Sequence, residues 1–151
     1  MRCVALLHGM FSEHGGARVF ASDYLRQVSR ETVKGISPDF TRLSLDLAPV
    51  QLEHDAALAC GLIVSELVSN CLRSAFVEIN RPKISVYFGM TGKNMAELRV
   101  TDNGIGIPTR MDVDKLATLG LKVVKKQATQ LKGKVDISVS NGTTVRVRFP
   151  L

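Results

Sequence analysis

Apolar positions along the chain follow two rhythms that take turns. From about residue 19 to 33, Phe20, Tyr24, Leu25, Val28 and Val33 recur at helical spacing, with Arg30, Glu31 and Lys34 on the other side. This predicts an amphipathic helix that Gly35 ends. Residues 42–47 switch to a period of two, with Leu43, Leu45 and Leu47 on one face, Ser44 and Asp46 on the other, and Pro49 closing the run. A half-buried strand follows from that alternation. Residues 52–76 form a long apolar-rich run without internal proline, too long for a strand, which predicts a long helix with Gly61 as its only weak point. Residues 83–88 and 96–101 alternate again around a turn at 91–94, as two antiparallel strands would.

The stretch 103–119 is rich in Gly, Pro and charge and reads mostly as loop. Residues 120–131 regain helical spacing through Leu121, Val123, Val124, Ala128 and Leu131, and Lys132-Gly133 terminates them. Residues 134–140 and 143–149 alternate around Asn141-Gly142, a strong hairpin signal. At the start, Val4, Leu6, Leu7, Met10 and Phe11 read like the end of an amphipathic helix, and residues 12–18 like a glycine-rich loop. The first segment therefore reads as part of something longer. Strands arriving in hairpins between helices favour an α+β fold, with a largely antiparallel or mixed sheet and helices layered on one face.

Composition narrows the picture only a little. A length of 151 residues suits one domain, or one domain with a short appendage. With 45% hydrophobic and 23% charged residues, long disorder and fibrous repeats are excluded. Aromatics are 5% and Trp is absent, so Leu, Val, Ile and Ala must build the core. The formal charge of +6 suits nucleic acid, nucleotide phosphate or an acidic protein face alike. Cys3, Cys60 and Cys71 stand outside any CxxC pair or His cluster, which favours a reduced, cytoplasmic setting. The apolar runs read as too short for a membrane span, and a signal peptide's cleavage pattern is missing.

Four places carry possible chemistry. Glu66, Asn70 and Arg73 lie at i, i+4 and i+7 of the long helix and so on one stripe, where a carboxylate, an amide oxygen and a guanidinium converge. A solvated polar face would carry the same residues. Asp102-Asn103-Gly104-Ile105-Gly106-Ile107-Pro108 follows a strand, and its glycines let a ligand approach the main chain. It lacks the third glycine of a dinucleotide fingerprint and the GK[ST] of a P-loop. Asp102 can accept a hydrogen bond from an exocyclic amine there, or simply open a turn. Residues 108–120 suggest a mobile loop running into a helix N-terminus, where free N–H groups suit phosphate. Gly142-Thr143-Thr144 opens the last strand and can place a hydroxyl in a pocket.

In order and context, GLIVSELVSNCLRSAF at 61–76, RVTDNGIGIP at 99–108, TLGLKVV at 118–124 and GTTVRVRFPL at 142–151 resemble the N box, two glycine boxes and closing strand of a histidine-kinase ATP-binding domain. The superfamily is GHKL. The resemblance is nearest to the HWE-like and related bacterial sensor kinases, with which residues 6–28 also agree, and it covers essentially the whole chain. It implies the Bergerat ATP-binding fold, a two-layer α/β sandwich. Residues 1–18 would be a remnant of a dimerisation helix and its linker, and residues 19–151 the ATP-binding domain.

The resemblance further implies that Asn70 coordinates Mg2+ and that Glu66 takes the acidic N-box position, supporting proton transfer or hydrating the metal. Arg73 falls where a phosphate-contacting Lys is usual. Asp102 would hold the adenine amino group, Gly104 and Gly106 would let the backbone pass the nucleotide, and Gly120 with Leu121 would lie beside the phosphates. Thr144 would match the threonine near the base, with Thr143 an equally close candidate.

The chain departs from the pattern at Ser65, Arg73 and Ser74, where Asn, Lys and His are common, and at Gly9 in place of Glu. Arg is not a neutral substitute for Lys. None of His8, His14 and His54 sits in a phospho-accepting context. The function implied is binding of Mg-ATP and transfer of its γ-phosphoryl to a histidine on a dimerisation helix outside this sequence. Expected partners are that helix and a response regulator, with neither nucleic acid nor membrane contact. The other readings are a phosphotransferase or pseudokinase docking module without ATP binding, and an anti-sigma-factor-type serine kinase.

Overall fold

The computed structural model describes residues 5–10, 18–75, 81–104 and 121–151, the side chains of residues 74 and 75 excepted. Residues 5–10 are helical (α1) and lead to β1 (Arg18–Phe20), α2 (Ala21–Ile36), β2 (Leu43–Leu47), β3 (Gln51–Glu53) and α3 (His54–Asn70). A π-helical turn at Cys71–Ala75 extends α3, and β4 (Ile84–Gly92), β5 (Met95–Asp102), α4 (Lys122–Gln130), β6 (Lys134–Val139) and β7 (Thr143–Pro150) complete the order. Five strands form one mixed sheet in the order β2-β4-β5-β7-β6, in which only β2 and β4 run parallel. The α+β reading with a mostly antiparallel sheet holds.

The pleat divides the sheet into two chemically different faces. Ile84, Val86 and Phe88 of β4, Leu98 and Val100 of β5, and Val145, Val147 and Phe149 of β7 are buried in one core with Leu25 and Val28 of α2 and Ile63, Val64 and Val68 of α3. Leu7 and Met10 of α1 enter that same core. The opposite face carries Tyr87, Glu97, Arg99, Thr101, Thr144 and Arg146. There Glu97, itself buried, meets Arg99 at 3.5 Å, Arg146 at 3.1 Å and Arg148 at 3.0 Å, and Arg99 stacks on Tyr87 at 4.3 Å.

Several expectations need correction. Gly35 does not end α2, which continues to Ile36, where the Ser37 N–H reaches the Val33 carbonyl at 2.7 Å. The expected single helical start near residue 19 is instead β1, which pairs antiparallel with β3, Val19 opposite Leu52. Three-residue strands are too short to show a period, so their pairing leaves no pattern in sequence. Finally, 54–73 is long and apolar enough, by length and composition, to cross a membrane, although half of it is buried inside the fold as the central core helix. The turn expected at 91–94 narrows to Lys93-Asn94, with Asn94 at φ 62°, and Lys132 rather than Gly133 takes the left-handed position after α4, at φ 59°. The Gly133 N–H then reaches back to Ala128 O at 2.8 Å.

Gly61, the weak point of α3 in the sequence, has a packing reason. The fully buried ring of Tyr24 on α2 stands where a side chain would go, with Cε2 2.7 Å and Cζ 2.8 Å from an ideal Cβ. A Gly61→Ala substitution gains about 1 kcal/mol of helix propensity but overpacks a rigid ring, which costs about 1–3 kcal/mol. We expect urea unfolding to show a lower midpoint at unchanged slope; a raised midpoint would mean that Tyr24 swings aside.

Candidate functional site

Asp102 ends β5 on the core side of the sheet and is 8% exposed. Both carboxylate oxygens are held. The Gly104 N–H donates to Oδ1 at 2.8 Å, closing a tight turn, and the Cys71 thiol donates to Oδ2 at 3.3 Å from the first residue after α3. Burial raises the Cys71 thiol well above its ordinary value, and the neighbouring Asp102 charge and hydrogen bond push it the same way. Cys71 is therefore a neutral donor at physiological pH. An ionised carboxylate with one donor on each oxygen keeps lone pairs on both.

The backbone beyond Asp102 is tied down by Asn103. Its Oδ1 accepts the Lys83 N–H at 2.7 Å and its Nδ2 donates to the Arg81 carbonyl at 3.1 Å, a carbonyl that also accepts from Arg42. The sequence reading passed over this residue as part of the turn; Asn between the Asp and Gly of such a turn was the available signal. From the other side comes Gly142 at φ 127°, where a Cβ would strike the Asp102 carbonyl oxygen and lie 2.9 Å from Asn103 Cα. Only glycine permits that approach.

Register separates the two threonines by face. Thr143 pairs with Asp102 and Thr144 with Thr101. Successive residues of a strand face opposite ways, so buried Thr143 shares the face of Asp102, whereas Thr144 lies on the far face with its hydroxyl 3.2 Å from that of Thr101. Of the two equally close candidates, Thr143 thus shares the side of Asp102 and Thr144 does not, because the pleat and not the motif sets the side.

Glu66 and Asn70 lie half-buried along the C-terminal half of α3, the end that Cys71 brings against Asp102. Arg73 is exposed, and the π-helical turn from Cys71 breaks the 3.6-residue period on which its i+7 place rested. Leu121 buries its side chain in the core at the entrance to α4, so only its backbone is left for a ligand. Gly106, Gly120 and the loop between them lie outside the described residues. Among the described residues no three His, Cys, Asp or Glu side chains cluster as a metal cage. Glu66 and Asn70 offer hard oxygen donors instead, and this set fits a Mg2+ ion, which takes few protein ligands and fills its shell with water and phosphate.

Residues 56–151 match the family model described as histidine kinase-, DNA gyrase B-, and HSP90-like ATPase. The chain belongs to this family. Its ATP-binding domain is of the type that sensor histidine kinases carry: it is 30% identical over 142 residues to the sensor histidine kinase LiaS of Bacillus subtilis, covering 85% of this chain and 37% of that protein. It is 24% identical over 111 residues to blue-light-activated histidine kinase 2 of Erythrobacter litoralis, covering 73% and 32%. The chain thus spans about a third of these relatives' length. The histidine kinase domain of the Erythrobacter litoralis blue-light kinase EL346 superposes with a TM-score of 0.88 at 21% identity, over 99% of this chain and 72% of that one, which shows the shared fold. The GHKL resemblance is thereby established, and the blue-light neighbours agree with its HWE-like side.

Two outcomes test this geometry. Gly142→Ala should displace the Asp102 backbone and weaken nucleotide binding by about tenfold or more, since a strained backbone costs about 1–3 kcal/mol; calorimetric titration with ADP measures it, and unchanged affinity would show that the two backbones can part. Burial alone pushes the Cys60 thiol up to about 12, and Cys71 is raised as well. Iodoacetamide at pH 8 should therefore spare both in the folded protein and label both in urea, as peptide mass mapping would read.

Proposed function

We propose that this domain binds Mg-ATP and, in a longer protein, presents the γ-phosphoryl to a histidine on a dimerisation helix. The observation that carries the reading is the buried carboxylate of Asp102, pinned on both oxygens and still able to accept. An ionised carboxylate accepts only, so it favours the exocyclic amine of adenine and repels the carbonyl that guanine presents at the same position. Thr143 stands beside it on the same face and can add a hydroxyl to the base contact. Gly104 leaves the main chain open to close approach, and in this reading Gly106 and Gly120 extend that path toward the phosphates.

Asn70 would hold Mg2+ through its amide oxygen, with Glu66 accepting from the metal's water or from the attacking imidazole. The ion, when bound, neutralises charge on the phosphates. Phosphoryl transfer asks mainly for positioning and charge neutralisation, which is what a rigid helix and strand end supply. In this reading, among the described residues, exposed Arg73 and Lys122 at the entrance to α4 are cations offered to the phosphates. We place residues 1–18 with the preceding dimerisation helix and 19–151 with the ATP-binding domain, the protein in the cytoplasm, and a response-regulator receiver domain as the next phosphoryl acceptor. Without its histidine helix the isolated domain would bind nucleotide with little turnover.

Calorimetry with ADP and GDP, each with and without Mg2+, is the test. Asp102→Asn replaces one acceptor oxygen by a donor amide facing the adenine amine and should weaken ADP binding about 10–100-fold, the range for a hydrogen bond to a charged group. Asn70→Ala should abolish the Mg2+-dependent part of the affinity and spare the rest. Wild-type affinity in both variants would remove the site assignment, and absence of binding by folded wild-type protein would favour the docking-module reading.

A further inference from the structure

At the edge of the sheet remote from β6, a cleft of about 410 Å3 opens between α2 and β2. Its wall on α2 is a row of Arg26, Arg30 and Lys34, spaced four residues apart and so stacked along one helix face. Its floor is apolar, with Phe40, Leu43 and Leu45 half-buried there. Among the described residues three cations and no carboxylate line the cleft, and none of the three side chains makes an ion pair or hydrogen bond there.

The strand beneath has a free side. Among the described residues β2 pairs only with β4. Bonds at the two ends of that ladder, Ile84 N–H to Arg42 O at 3.0 Å and Ala48 N–H to Phe88 O at 2.9 Å, show that even-numbered residues turn their backbone groups toward β4. In a parallel ladder the intervening residues turn theirs the other way. Leu43, Leu45 and Leu47 thus offer N–H and C=O outward in a row, beside the cleft into which the first and second send their side chains. Unpaired edge groups are a template for another strand.

We propose that this edge and cleft form a docking site for an extended, acidic segment of another protein, which adds a strand beside β2 and sets its carboxylates against Arg26, Arg30 and Lys34. Backbone pairing supplies the register, and the side chains that the added strand turns toward α2, on the same face as Leu43 and Leu45, are the acidic ones: their methylene stems cross the apolar floor and their carboxylates meet the cations. Charge complementarity selects an acidic segment over a neutral or basic one. Nucleic acid suits the site less, since among the described residues Phe40 is the one aromatic that lines it, and half of the edge groups are carbonyl acceptors for which a phosphodiester has no donor. The site is separate from Asp102, two strands away in the row Leu43, Ile84, Asp102, and does not depend on what Asp102 binds.

The probe is a fluorescein-labelled seven-residue peptide alternating Glu and Val, followed by anisotropy and by amide chemical shifts of the isotope-labelled chain. Saturable binding is expected, with shifts centred on Leu43, Leu45 and Leu47. The Lys-for-Glu peptide should not bind, and a peptide N-methylated on alternate residues should bind about tenfold more weakly or worse. The exposed double variant Arg30→Glu/Lys34→Glu should also lose about tenfold, with ADP affinity and unfolding midpoint as wild type. The proposal is overturned if the Glu-Val peptide does not saturate, if N-methylation or charge reversal changes nothing, or if the shifts map elsewhere. Equal affinity for single-stranded oligothymidylate, or sedimentation showing that a second copy of the chain takes the edge, would overturn it as well.

Discussion

A carboxylate buried at the end of a strand is stable only if its surroundings supply donors, and for Asp102 those donors come from two sides that must arrive together. Cys71 reaches it from the end of α3, Gly104 from the turn that follows. Gly142 presses the β6–β7 hairpin against the backbone of Asp102 and Asn103, while Asn103 straps residues 81–83 to the same point. Sheet, core helix and hairpin are therefore joined at one residue. Loss of either donor would leave buried charge undersatisfied, which costs far more than a surface hydrogen bond returns.

Much of this was legible in sequence, and the reason is length. α3 and the pairs β4–β5 and β6–β7 run over enough residues for a period to emerge, and Asn141-Gly142 declares its turn because both residues need positive φ, found here at 51° and 127°. The α+β class follows from those elements alone. The motifs singled out Asp102, Glu66 and Asn70 as candidates. They could not give the face on which a threonine lies, because Thr143 and Thr144 are chemically equal and only the partner strand distinguishes them. The place of Arg73 around the helix was not legible for a related reason: a helical wheel assumes a constant turn, and the chain widens to a π-helical turn at Cys71.

Net charge was the least informative quantity read from the sequence, and the structure shows why. Arg99, Arg146 and Arg148 gather about one buried carboxylate, Glu97, on the sheet face away from Asp102. Three positive charges around one negative make that face basic, but all three are engaged with Glu97, and Arg99 also stacks on Tyr87. They hold the solvent face of three strands in register, where an apolar patch would otherwise be exposed. The row on α2 differs, having cations without acids. A total of +6 is thus a sum over surfaces with different partners.

The geometry of α3 also explains how one helix serves core and site together. Cys60, Val64, Val68 and Cys71 follow the buried stripe, and a residue's step of about 100° turns Asn70 onto the neighbouring, half-buried flank that Glu66 shares. In the proposed reading, a base held by Asp102 would be bounded by the stripe, through Cys71, with the flank left to whatever is attached to that base. Because the two rows are fixed to one rigid helix, the distance between the carboxylate end and the oxygen-donor end cannot vary independently of the core. Cys71 is the residue where the rows meet. Its neutral thiol, kept from ionising by burial and by Asp102 itself, is what allows an apolar stripe to end on a carboxylate without a second charge.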